Sequence, residues 1–185
     1  MKIKLVVLLF LLTSYANAQY FEVTQFGLKS KDKPELSYVV IDLPGLKANE
    51  IYARIIKYIN HTMNDSEASQ KGNVLNEYVR YRTYYENFVG YRQGLTTITI
   101  SADYHTEIMI KDEKIKVEFI GLKMKAVGNP YEMVFSAGLL DGYYIVFKKD
   151  GKLFKPEVKL EMEQYFNSQV ESLKTALTKN EQETW

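Results

Sequence analysis

From Thr96 to Lys125 the chain alternates with a period of two, and this stretch constrains the fold more than any other. Ile98, Ile100, Ala102, Tyr104, Ile108 and Ile110 occupy every second position, interrupted by Thr106; Thr97, Thr99, Ser101, Asp103, His105 and Glu107 lie between them. Successive side chains of a strand point to opposite faces, so this pattern predicts a strand with one dry and one wet face. The polar turn Lys111–Lys114 then sends the chain back into Ile115, Val117 and Phe119, again alternating. A long hairpin with one apolar face needs a cover on that face. Two stretches supply it at helical spacing. Ile51, Tyr52, Ile55, Ile59 and Met63 follow Asn49, the expected N-cap, and Val158, Met162, Phe166, Val170, Leu173 and Leu177 follow Pro156.

The other segments arrange themselves around this core. Residues 36–43 are β-branched and apolar, which predicts a central strand. Further strands are expected at 74–85 and 143–147, with a short edge strand within 19–26. Residues 29–34 read as a polar connection, 64–72 as a polar loop, and 87–94, with Gly90 and Gly94, as the turn into the hairpin. Asn129-Pro130-Tyr131-Glu132 carries the signature of a helix start, so one or two helical turns are expected, ending near Gly138. The order is β-α-β-β-β-β-α, an α+β fold of two layers: a mostly antiparallel sheet with both helices on one face. The expected division is an N-terminal arm over 19–34, a single domain over 35–180 and a frayed tail over 181–185.

Residues 1–18 read as a secretion signal. Lys2 and Lys4 precede the apolar run Leu5–Leu12, and Ala16-Asn17-Ala18 supplies a cleavage site. The run is too short to span a bilayer, which takes about 20 residues. The chain has no cysteine, so neither disulfides nor a cysteine-linked lipid anchor is expected. Without Lys2 and Lys4, 22 basic residues face 23 acidic ones, from the 24 and 23 of the whole chain. Such a balance offers no footprint for nucleic acid or an anionic membrane. A periplasmic or secreted location follows, with no membrane insertion after cleavage.

The signal, the helix NEIYARIIKYIN, the hairpin TEIMIKDEKIKVEFIGLKM and the terminal helix FNSQVESLKTAL together resemble a bacterial secreted domain-of-unknown-function family with a TATA-binding-protein-like (TBP-like) fold. The likeness covers most of the chain after the signal, with Glu113 where the resemblance implies a glycine in the hairpin turn. It implies the same β-α-β-β-β-β-α order and no activity, and the name of the fold gives no warrant for DNA binding.

Candidate chemistry gathers on the polar face of the hairpin. Asp103, His105 and Glu107 lie in line, and a register pairing Ile110 with Ile115 also pairs Glu107 with Glu118 and His105 with Ile120. Carboxylates beside an imidazole can bind a metal or do acid–base work, or form an ordinary solvated face. Two histidines, no cysteine and no dense acidic loop argue against a zinc or EF-hand site, and neither metal nor cofactor is expected. Residues 78–85, YVRYRTYY, interleave aromatic and basic side chains, a pattern suited to sugars or peptides when tyrosines are exposed, and otherwise to tyrosines that pack and arginines that pair with acids. The expected ligand-binding residues are therefore Asp103, His105, Glu107, Glu118, Tyr78 and Tyr81. The expected function is a non-catalytic binding or interaction module of the cell envelope that recognises a protein, peptide or glycan. The alternatives are a small periplasmic hydrolase using Glu107, Glu118 or Asp103, or a structural subunit. The working surface is expected on the sheet face away from the helices, with Ile120, Leu122 and Met124 beside the polar row. Residues 126–142 would then form a lid or permanent cover, through Tyr131, Val134, Phe135 and Leu139.

Overall fold

The computed structural model describes residues 19–62, 72–136 and 144–179. The expected signal at 1–18 and tail at 181–185 lie outside them, as do Met63, Leu139 and Gly142. The elements run β1 (Phe21–Thr24), β2 (Gly27–Ser30), β3 (Tyr38–Asp42), α1 (Ala48–Thr62), β4 (Tyr78–Gln93), β5 (Thr96–Lys111), β6 (Lys114–Ala126), β7 (Glu132–Ser136), β8 (Tyr144–Phe147) and α2 (Pro156–Thr178). The predicted β-α-β-β-β-β-α order is contained in this series as β3, α1, β4, β5, β6, β8 and α2, and the fold is α+β as expected. The main sheet runs β4-β5-β6-β7-β8 with β3 also paired to β6, and only β7 and β8 pair in parallel.

The hairpin β5–β6 has the predicted register, with Ile110 opposite Ile115, Glu107 opposite Glu118 and His105 opposite Ile120. Its apolar side carries Ile100, Ala102, Tyr104, Ile108, Ile110, Ile115, Val117 and Phe119 into one core with Ile51, Ile55 and Ile59 of α1 and the whole predicted stripe of α2. Both helices therefore lie on the same sheet face. Thr106, which breaks the apolar alternation, is buried with the rest, opposite Tyr81 of β4.

Several local expectations give way to tertiary structure. The segment read as a lone edge strand is one half of a two-stranded hairpin, β1–β2, with Phe21 and Val23 fully buried against α2; β2 takes the first two residues of the expected polar connection, and 31–34 remain an exposed connection. Residues 36–43 do not form a central strand: β3 pairs only with β6 among the described strands, and it alternates buried Val39 and Ile41 with exposed Val40. β4 runs on through 87–93, so the turn narrows to Gly94-Leu95. The expected break survives as a bulge between Tyr85 and Val89. The helix signature at 129–132 gives no helix up to Ser136. There Glu132–Ser136 is a strand, because Met133 pairs with Met124 at the end of the sheet and is buried there. Asn129 instead closes a turn by accepting the Tyr131 amide.

The tip of the β5–β6 hairpin also has a job the sequence reading assigned elsewhere. Asn49 does not cap α1. Asp112 in the turn accepts the Ala48 amide at 2.9 Å, a helix cap supplied from 64 residues away. Its neighbour Glu113 holds φ at +62°, exchanges main-chain bonds with Leu43 and Leu46, and accepts the Gly45 amide through its carboxylate.

Candidate functional site

Across β4, β5, β6 and β3 the register lays the face away from the helices, uncovered among the described residues, out in rows. One row reads Tyr78, Met109, Lys116, Val40; the next Arg80, Glu107, Glu118, Tyr38; the third Arg82, His105, Ile120. Five of the six predicted residues, Tyr78, Asp103, His105, Glu107 and Glu118, share this face. Tyr81 does not. Its position is on the core parity of β4, it is 6% exposed, and burial raises its hydroxyl well above the ordinary tyrosine range, against a lowering hydrogen bond to Thr106.

The like charges of Glu107 and Glu118 are separated by what surrounds each. Glu107 accepts the Tyr78 hydroxyl at 2.8 Å and lies 3.6 Å from Arg80. Glu118 accepts the Ser37 hydroxyl at 2.5 Å and Lys116 at 3.1 Å, and Lys116 also sits over the Tyr38 ring. Burial pushes the Glu118 carboxyl up, but Ser37 and Lys116 together outweigh it and hold the group below its ordinary value. Asp103 takes both nitrogens of a forked Arg82, Nε at 2.8 Å and Nη2 at 2.7 Å, and that hydrogen-bonded cation holds its carboxyl low. Among the described residues no group of three metal-ligating side chains converges. Carboxylates held down by paired cations are poor proton donors at neutral pH, so the row provides a fixed pattern of charge. Arg80 Nε is buried and, among the described residues, has no hydrogen-bond partner.

The apolar rim differs from expectation. Gly121, at φ +63°, lets β6 place two residues, Gly121 and Leu122, opposite the single Tyr104 of β5. A one-residue bulge exchanges the faces beyond it. Met124 is therefore buried in the core and Leu122 packs against it, while Ile120 alone stays with the polar row. The large apolar groups on the uncovered face are instead Val40, Met109 and Tyr84, 54%, 51% and 46% exposed, on strands the sequence had not joined. Residues 126–136 extend the sheet edge rather than lying over this face, and Phe135 packs with the core; Leu139 lies outside the described residues.

One set of residues was missed altogether. On α2 the side chains of Lys159, Glu163, Asn167 and Glu171 recur every four residues beside the apolar stripe and receive β1 as a neighbouring strand would. Asn167 Oδ1 accepts the Tyr20 and Phe21 amides at 2.7 and 2.8 Å, and its Nδ2 donates to the Phe21 carbonyl. Glu163 accepts the Val23 amide and pairs with Lys159; Glu171 accepts the Tyr20 hydroxyl. The period of four is visible in the sequence, but charged and amide side chains at that spacing are also what a solvated helix flank carries.

No protein-family profile matches this sequence, and no curated protein matches it. Among solved structures, the chain is similar to a DUF4468 family protein from Bacteroides ovatus ATCC 8483, at 12% identity over 78% of this chain and 86% of that one, with a TM-score of 0.56. A TBP-like protein from Parabacteroides distasonis ATCC 8503 aligns at 15% identity over 74% and 90% of the two chains, with a TM-score of 0.48. At such identities the first likeness establishes a shared fold, and the family resemblance read from the sequence holds at that level.

Proposed function

We propose that this protein is an exported, non-catalytic binding module of the bacterial cell envelope, and that it recognises a protein, peptide or glycan with the sheet face turned away from its helices. The observation that carries the reading is the composition of that face. Arg80, Arg82, Lys116, Asp103, Glu107 and Glu118 hold one another in a paired lattice around Val40, Met109, Tyr84 and Tyr78. Mixed polar and large apolar groups on a rigid surface suit recognition. The lowered carboxyls of Asp103 and Glu118 favour this over a hydrolase, which needs a carboxyl raised toward neutral pH. Export rests on the sequence pattern of residues 1–18, and among the described residues no helix is long and apolar enough to cross a membrane.

The test is capture of a partner from the envelope fraction with protein starting at Gln19 as bait, followed by hydrogen exchange of the complex. Protection is expected at Tyr78–Tyr84, Asp103–Met109 and Glu118–Ile120, and the double variant Met109→Ala, Tyr84→Ala should weaken binding. Protection confined to α1, α2 and β1 would refute the assignment of the surface. A mature pool that retains Met1 would refute export.

A further inference from the structure

Among the described residues the chain protects much of its strand edge and leaves the outer edge of β3 bare. β1 is backed by Asn167 and Glu163. β8 is closed by Phe154 and Lys155, whose amides donate to Val146. β4 is bulged at Tyr85–Val89 and carries Glu161 on the Gly90 amide and Lys155 on the Arg92 carbonyl. Bulges, side-chain caps and covering loops are the usual means of keeping an edge from pairing with another chain. β3 has neither a bulge nor a side-chain cap, and β2 meets its line only ahead of the strand, where the Ser30 amide donates to the Leu36 carbonyl at 2.9 Å. The Leu43 amide donates to the Glu113 carbonyl at 2.7 Å, which sets the phase of the ladder with β6. Val39 and Ile41 share that phase, so the amides and carbonyls of Tyr38, Val40 and Asp42 point away from β6, and among the described residues none has a partner. The edge is five residues long, with neither a bulge nor a proline. Beside it lies a cleft of about 320 Å³, lined by residues 38–40 of the edge with Tyr20, Ser30, Asp32, Lys33 and Leu36.

We infer that the outer edge of β3 is a strand-addition site for an extended peptide of alternating apolar and polar residues. Three outward amide–carbonyl pairs at every second residue are the complement of one extended main chain, which would satisfy them all. The cleft selects the occupant. Tyr38, Val39 and Val40 of the edge line it together with Tyr20, Asp32, Lys33 and Leu36 of the segment before them, so an occupant bonded to the edge is flanked by this chain, a place for a slender extended segment rather than for a second folded copy. Side chains of the added strand on the covered side would enter the cleft between Leu36, Tyr20 and Val39 and should be aliphatic. Those on the other side would lie beside Val40 and Tyr38, in the row ending at Lys116 and Glu118, and should be polar. The inference concerns the edge and does not depend on the open face being the working surface.

The experiment is amide-resolved NMR on protein starting at Gln19. In the free protein the Tyr38, Val40 and Asp42 amides should exchange freely while Val39 and Ile41 are protected. Acetyl-Ser-Val-Thr-Val-Ser-amide at millimolar concentration should shift the three outward amides and slow their exchange about tenfold or more. The same peptide N-methylated at alternate residues should do neither. Val40→Pro removes an outward donor without touching the β6 ladder and should abolish binding; Val40→Lys, which keeps the backbone intact, should weaken it if the proline variant does not fold. Protection of the three amides in the free protein, or no response to the peptide, would overturn the inference. So would shifts confined to Arg80–Glu107, which would favour the open face. Protection that grows with protein concentration alongside a doubled mass would give the edge to a second copy.

Discussion

Asn167 on α2 docks the first strand of the protein, and replacing it should show how much of that docking is hydrogen bonding. The residue is 9% exposed, and its side chain meets three main-chain groups of β1 and its approach, the amides of Tyr20 and Phe21 and the carbonyl of Phe21, besides the Glu163 carbonyl of its own helix. Phe21 is fully buried, so its amide and carbonyl would lose their partner with no water in reach. Tyr20 is half-exposed, and its amide can be partly resolvated. Orphaning a buried polar group costs about 1–3 kcal/mol. Two such groups, with some relaxation into the space left by truncation, place Asn167→Ala at about 2–4 kcal/mol. Asn167→Leu restores the volume and should cost at least as much, because it fills the space that a rescuing water would use. A chain of this size loses about 2–4 °C of Tm per kcal/mol, so either variant should melt roughly 5–15 °C lower. Urea denaturation followed by far-UV circular dichroism gives the free energy, and hydrogen exchange at Phe21 and Val23 gives the location. If Asn167→Leu costs less than about 0.5 kcal/mol while the Phe21 amide stays protected, apolar packing of Phe21 docks the hairpin and the argument from hydrogen bonds is wrong.

Phe166 touches Phe119, Tyr104, Phe88 and Tyr165 at ring separations of 4.8 to 5.6 Å and is fully buried, so Phe166→Ala should cost about 3–5 kcal/mol by denaturant titration. A loss under about 1 kcal/mol would mean that α2 is not docked by its stripe. Glu113→Gly trades a left-handed residue, strained by roughly 1–2 kcal/mol, for one exposed hydrogen bond to Gly45, and should stabilise the protein by up to about 1 kcal/mol. A lower Tm would show that the carboxylate matters more than the backbone. Asp103 is held below its ordinary value of 3.8 by Arg82, so its contribution is present above that value and fades as pH falls through the lower, folded one. The Tm gap between the protein and Arg82→Gln should therefore be full at neutral pH and narrow as acid protonates Asp103; a gap unchanged in strong acid would assign the loss to packing.

The hairpin, both helices and their common face follow from side-chain period, because burying an alternating face leaves little choice of partner. Where the sequence misled, a long-range contact overrode a local signal. Asn129-Pro130 is a sound helix start, but Met133 gains more by pairing with Met124 than a short isolated helix could offer. The apolar run at 36–43 looked central because β-branched residues suit either place, and only topology puts it at an edge. Met124 was assigned to the wrong face by a bulge at Gly121 that shifts the alternation by one. Of the candidate residues, Asp103, His105, Glu107 and Glu118 were placed correctly because they lie on the one hairpin whose register the turn sets. Tyr81 was not, since residues 78–85 carry large side chains on both faces and show no parity to read.

The bond between Asn167 and Phe21 spans 146 residues, and its neighbour from Glu163 to Val23 spans 140. The opening hairpin has no sheet of its own to join, so it must wait unsatisfied until nearly the whole chain has been made. Closing so long a loop is slow compared with forming the β5–β6 hairpin, whose tip joins adjacent residues. Folding should therefore begin in the middle of the chain and finish at its two ends together. Deleting either the first strand or the last two turns of α2 should leave the same species, a collapsed central sheet with one apolar flank uncovered and prone to associate.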